Sequence, residues 1–169
     1  MIIKVSGDIL LTSAQAIAHA VAPADHFENG LALALREQWP AMVRDFRHYC
    51  HQNHAKPGEV WMWGGPEGKV VVSLMVQEPV EGPHSHGVHP GPATLSYVNH
   101  ALKALRHLID SEKISSLALP RLATGVGKLD WADVEPLIEQ HLGSLDIPVY
   151  VYETYVKGER AEEPAAKAA

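Results

Sequence analysis

The segment Leu117-Ala118-Leu119-Pro120-Arg121-Leu122-Ala123-Thr124-Gly125-Val126-Gly127 restricts the possible folds more than any other part of the chain. It begins as a short apolar strand and passes into a loop carrying Gly125 and Gly127. Asp130 then opens an amphipathic stretch, with Asp133 in a variant of the capping-box position. A strand that feeds a glycine loop that feeds a helix is the connection of an α/β fold, because parallel strands need a crossover and helices supply it. Upstream, residues 93–111 carry Leu95, Val98, Leu102, Leu105 and Ile109 at helical spacing. This alternation predicts a three-layer α/β/α fold around a mixed, largely parallel central sheet.

The other elements follow from local pattern. Residues 2–5 are a β-rich run ending at Gly7-Asp8. Residues 14–22 are apolar at nearly every position, with His19 among them, and read as a buried strand, although so Ala-rich a run also suits a helix. Residues 23–30 are a polar loop and 31–38 a helix. Pro40 stands in the first turn of a second helix that runs to Asn53. Residues 60–63 and 69–76 are two strands across the turn Gly64-Gly65-Pro66. Residues 78–92 form a long Gly-, Pro- and His-rich loop, 116–119 a short strand and 149–152 a last strand. The 169 residues suit one domain, residues 1–155, with residues 156–169 expected to be a flexible C-terminal tail because they turn charged and then Ala-rich.

Charge and cysteine content narrow the function classes. A formal net charge of −6 disfavours a nucleic-acid surface, since neutralising phosphates drives that binding. The lone Cys50 allows no intramolecular disulfide, which fits a reducing compartment. The first apolar run is interrupted by Gly7 and Asp8, unlike a signal peptide, and no apolar stretch approaches the roughly 20 residues of a membrane span. The expectation is a cytoplasmic protein with no membrane partner.

Three features carry candidate chemistry. The loop 121–127 reads either as a diphosphate site, whose glycines let a phosphate reach backbone amides at a helix start, or as an ordinary tight β–α connection. Asp8, after the first strand, either accepts a hydrogen bond from an exocyclic amine such as adenine's or caps its own turn. The stretch Asp25-His26-Phe27-Glu28-Asn29-Gly30-Leu31 either wraps a ligand and offers the amides of Gly30 and Leu31, or is plain helix capping by Asn29.

In this order and at these separations, the features resemble the macrodomain family. Gly7-Asp8-Ile9, the strand around His19, Gly30-Leu31-Ala32, Leu119 to Gly125 and Leu129-Asp130-Trp131 carry the resemblance, which spans residues 2–154. It is nearest the branch of the terminal ADP-ribose protein glycohydrolase and the antitoxin DarG. The resemblance implies an ADP-ribose or ADP-ribosylated partner, with nucleic acid involved only as an ADP-ribosylated substrate, and it implies no cofactor. It also implies roles: Asp8 and Ile9 at the adenine, the amides of Thr124, Gly125, Val126 and Gly127 at the diphosphate, and Gly30 and Leu31 beside the diphosphate and distal ribose. Tyr152 would pack near the adenine, or is a plain core or surface tyrosine.

Hydrolases of that branch use a lysine after the central strand and an aspartate after the diphosphate loop. The matching positions here are Gln77 and Gly127, which can neither attack a sugar nor carry a proton. Asp25, His26 and Glu78 are the substitute candidates for a general base. His84, His86 and His89 share one loop but lack the fourth ligand of a closed zinc site, so contact with substrate is the better reading there and no metal is expected. No metal is expected at His48, His51 and His54 with Cys50 either, since histidines near a helix C-terminus are simply favoured by the dipole. Two functions follow: a hydrolase that removes ADP-ribose, or an acyl group from ADP-ribose, and alternatively a reader that binds ADP-ribose without chemistry.

Overall fold

A computed structural model describes residues 1–79 and 90–165. The elements run β1 (Ile2–Gly7), β2 (Ala16–Val21), α1 (Gly30–Gln38), α2 (Pro40–Asn53), β3 (Val60–Gly64), β4 (Val70–Met75), α3 (Leu95–Glu112), β5 (Leu117–Pro120), α4 (Trp131–Leu142) and β6 (Val149–Tyr155). The six strands form one sheet in the order β1-β6-β5-β2-β4-β3, and only the β3–β4 pair is antiparallel. The expected mixed, largely parallel sheet is therefore observed, and the ambiguous Ala-rich run is β2.

β2 is apolar throughout because both of its faces are covered. Ala16 and Ala18 join the core beneath α3 and α4, with Leu102, Leu105 and Val134. Ile17 and Val21 face the opposite core beneath α1 and α2, with Phe27, Leu35 and Phe46. Trp39, Trp61 and Trp63 pack at the edge of that second core. No helix of the described residues is long and apolar enough to cross a membrane.

Helix ends differ from the sequence reading in two places. Asn29 and Asp130 occupy N-cap positions, but neither side chain makes a cap hydrogen bond. Thr94 does, accepting from the Tyr97 amide at 3.1 Å to start α3.

The C-terminal segment differs more. Residues 158–164, expected to fray, fold back over the end of β1. The Asp8 amide donates to the Glu159 carbonyl at 2.6 Å, and Arg160 Nη1 donates to the Leu11 carbonyl at 3.1 Å. The Glu163 carboxylate accepts from the Ser13 amide (2.8 Å), the Tyr152 hydroxyl (2.6 Å) and the Thr12 hydroxyl. The approach is close enough that a Cβ on Gly7, at φ +151°, would stand 2.7 Å from the Ala161 nitrogen. The charged residues that suggested a solvated tail are the groups that fasten it.

Candidate functional site

β1, β2, β4, β5 and β6 are parallel, so their carboxyl ends lie on one edge of the sheet, where open α/β sheets place ligands. A crevice of about 260 Å³ opens there. One wall is the β2–α1 loop with Asp25, Asn29, Gly30 and Leu31; the other is the β5–α4 loop with Arg121, Gly125, Val126 and Gly127; His19 and Gln77 also line it.

The β5–α4 wall is held by its own backbone. Lys128 donates to the Gly125 carbonyl and Leu129 to that of Ala123, each at 3.0 Å, while the Gly127 carbonyl accepts from Ala93 at 3.1 Å. Ala123 (φ 60°) and Lys128 (φ 61°) take left-handed conformations to make this turn. Among the described residues, the amides of Gly125, Val126 and Gly127 donate to no carbonyl or side chain. On the opposite wall the amides of Gly30 and Leu31 precede the first helical bond of α1, from Leu33 to the Asn29 carbonyl at 3.2 Å. Two sets of free backbone donors thus belong to facing walls of one crevice, an arrangement suited to an anion.

The β2–α1 loop owes its shape to Asp25. Its Oδ2 accepts from the Ala22 amide at 3.0 Å and its Oδ1 from the Phe27 amide at 2.8 Å, which holds Ala24 and Phe27 at positive φ. Burial pushes the Asp25 carboxyl above the usual carboxylate range, against the pull of those two amides. Phe27 is driven into the second core, edge-on to His19 at 5.2 Å.

His19 sits on β2 beneath this loop. Its Nε2 is 3.0 Å from the Ser73 hydroxyl, and its Nδ1 is buried with no partner among the described residues. Burial pushes the imidazole down to about 3, so the ring is neutral at physiological pH. Gln77 is also buried, with Nε2 donating to the Gly91 carbonyl at 3.2 Å.

Of the residues singled out from sequence, Asp25, Gly30, Leu31, Gly125, Val126 and Gly127 line the crevice. Asp8, Ile9, Thr124, Tyr152, His26 and Glu78 stand outside its lining. Asp8 is buried and caps the single 3-10 turn Ile9–Leu11: Oδ1 accepts from Leu10 at 3.0 Å and Oδ2 from Gly158 at 2.9 Å. Thr124 turns its hydroxyl back to the Arg121 carbonyl at 2.9 Å. The Tyr152 hydroxyl is engaged by Glu163, and burial pushes that phenol up. His26 contacts Arg47 at 3.1 Å, and exposed Glu78 accepts from the Tyr97 hydroxyl at 2.5 Å. His84, His86 and His89 lie outside the described residues, among which no three His, Cys, Asp or Glu side chains gather as a metal site.

His19 lines the crevice without having been nominated from sequence; Asn29 and Arg121 lay in nominated loops without a side-chain role, and Gln77 held the position of the branch's lysine without a role of its own. The available signal was a lone histidine in an apolar strand and an arginine directly after one.

Comparison with known proteins gives a consistent pattern. The Macro domain family model matches residues 18–138. A DNA ADP-ribosyl glycohydrolase of Mycobacterium tuberculosis is 30% identical over 159 residues, which cover 89% of this chain and 42% of that protein, so the chain spans about two fifths of that relative's length. The macrodomain of Mycobacterium tuberculosis DarG superposes with a TM-score of 0.76 at 27% identity, covering 90% of this chain and 97% of that one. Thermosipho africanus DarTG, solved in complex with ADP-ribose, shares the fold at a TM-score of 0.76 and 21% identity, covering 94% of this chain and 42% of that one.

Proposed function

This chain belongs to the macrodomain family, and on that premise we propose that its crevice binds ADP-ribose and that the bound group is released by attack of water. The observation that carries the binding reading is the pair of facing walls with unused backbone donors, Gly30-Leu31 on one side and Gly125 to Gly127 on the other. A diphosphate between them satisfies amides that otherwise lack acceptors. The distal ribose lies toward Asp25 and Gln77, and the adenine toward Asp8 and Ile9. Each Asp8 oxygen accepts one backbone amide, which leaves lone pairs for an exocyclic amine.

For hydrolysis, Asp25 is the base the geometry favours. Among the three nominated residues it alone lines the crevice, while His26 and Glu78 are engaged elsewhere. Burial raises its proton affinity toward that of a useful base, and the amides of Ala22 and Phe27 keep it aimed. Asp25 takes a proton from water as the water oxygen bonds to the anomeric carbon; the bond from that carbon to the acceptor breaks, and the acceptor leaves with the electron pair. A reader without chemistry is the second reading, favoured because Gln77 and Gly127 bring no ionisable group to the crevice.

The test is calorimetric titration of ADP-ribose into the wild type, Asp8→Ala and Asp25→Asn, followed by an assay for ADP-ribose released from modified protein and modified DNA. Micromolar binding, at least about tenfold weaker in Asp8→Ala, is expected. Release by the wild type, cut at least about 100-fold in Asp25→Asn while binding persists, supports hydrolysis. Binding without release leaves the reader, and absence of binding by the wild type overturns both.

A further inference from the structure

Arg121 is the one charged base among the described residues that line the crevice, where the other titratable side chains are neutral His19 and Asp25. Its guanidinium carbon lies 5.6 Å from the ring centroid of Trp131, the first residue of α4. No carboxylate or hydrogen-bond acceptor among the described residues engages its side chain. By contrast Arg47, Arg106 and Arg160 all donate to acceptors within the chain.

A guanidinium that rests over an aromatic ring and has no carboxylate partner keeps N–H groups free, and their fork matches two oxygens of a phosphate. Trp131 is itself held, since its ring packs against the core beneath α3 and α4. The cation–π contact therefore holds the guanidinium beside the crevice and limits the side-chain entropy lost when an anion binds.

Charge gives this cation a task. The chain carries a formal net charge of −6, and a diphosphate is itself anionic, so the field of the whole molecule opposes binding. Backbone amides offer direction and partial charge but no net charge to offset that field. Arg121 begins the same loop whose amides are free, so a full positive charge and neutral donors belong to one wall.

We propose that Arg121, held by its contact with Trp131, binds the diphosphate of the ligand and makes the crevice selective for phosphate-bearing nucleotides. The inference rests on the reading that this crevice takes ADP-ribose.

The experiment is titration of ADP-ribose into wild type, Arg121→Gln and Arg121→Lys across a series of salt concentrations, with thermal melting of each variant as a check of folding. A surface charge pair weakens with salt, so the slope of affinity against salt reports whether Arg121 charge meets ligand charge. Arg121→Gln is expected to bind at least about tenfold more weakly at low salt and with a shallower slope than wild type. Arg121→Lys is expected to recover the slope but not the full affinity, because an ammonium has neither the plane nor the fork. Affinity and slope unchanged in Arg121→Gln overturn the proposal, and so does weaker binding with the wild-type slope, which marks a structural effect. Absence of binding by the wild type overturns the ADP-ribose reading of the crevice and this proposal with it, whereas the two preceding outcomes leave that reading standing.

Discussion

At the scale of single residues, Gly125 and Gly127 differ in what a side chain would meet. A Cβ on Gly127 would stand 2.7 Å from the Ala123 carbonyl oxygen, a backbone atom that cannot yield without moving the loop. Gly125 has nothing within 4 Å of its Cβ position and lines the crevice. Gly127→Ala is therefore expected to cost about 1–3 kcal/mol in a denaturant titration. Gly125→Val is expected to leave stability within about 0.5 kcal/mol of wild type and to weaken ADP-ribose binding at least about tenfold by filling the crevice. A Gly125→Val protein that binds as well as wild type places the ligand elsewhere. His19 gives a prediction in pH. Its folded value is pushed down to about 3 from 6.5. Its contribution to stability is therefore complete above pH 6.5 and is lost as pH falls from there toward 3, by at most about 1.4 kcal/mol per pH unit. Asp25 acts in the opposite sense, because a raised carboxyl favours the folded state as it protonates. The comparison that isolates the imidazole is the denaturation midpoint from about pH 7 to about pH 5 in wild type and His19→Gln. The midpoint is expected to fall less in the variant, and parallel curves exclude the assignment.

At the scale of elements, the segment 158–164 shows where reading by local pattern runs out. Its charged composition is that of a solvated tail, yet Glu163 finds Thr12, Ser13 and Tyr152 together. Thr12 and Ser13 are remote in sequence, and no local periodicity announces such a contact. Glu163→Ala is expected to lower stability by about 1–3 kcal/mol, since the variant strands donors on three groups. It is also expected to speed amide exchange in residues 158–165 while leaving α3 protected; unchanged exchange there shows that the fastening lies elsewhere. The β5–loop–α4 unit was legible because each part depends on local rules: an apolar strand, glycines for a tight turn and helical spacing behind. The same locality explains which site residues were legible. Gly30, at φ +54°, and Gly127, whose Cβ would meet the Ala123 carbonyl, are marked by backbone need. The side chain that enters the crevice from the end of β4 was not, because neighbours in an extended segment point to opposite sides. Gln77 turns inward and Glu78 outward to Tyr97, so the ionisable residue of the pair misses the crevice by one position. Asp25 and His26 divide in the same way, the first toward the crevice and the second toward Arg47.

At the scale of the whole molecule, the α/β class followed from the alternation of elements, but the strand order did not. β1 pairs with β6, Ile2 opposite Val149, and this neighbour relation comes from covering both faces of one sheet rather than from any segment alone. Net charge is also a property of this scale, and it separates two ways of meeting DNA. A surface that grips the backbone needs clustered cations, whereas this chain carries 20 Asp and Glu against 14 Lys and Arg. Among the described residues the charged base at the crevice is one arginine, enough for the proposed diphosphate and too little for a duplex. Unmodified oligonucleotides are therefore expected to show no binding by fluorescence anisotropy at about 150 mM salt. An oligonucleotide carrying ADP-ribose is expected to bind through that group alone, and free ADP-ribose should displace it at a concentration set by its own affinity. Binding of the unmodified strand with comparable strength would contradict this, since it requires a cationic surface that the balance of charge does not supply. On the proposed reading, recognition confined to the ADP-ribose group would make the crevice indifferent to what lies beyond the distal ribose. With Asp25 as the proposed base, selectivity among modified proteins and modified nucleic acids would then rest on which linkage Asp25 can address.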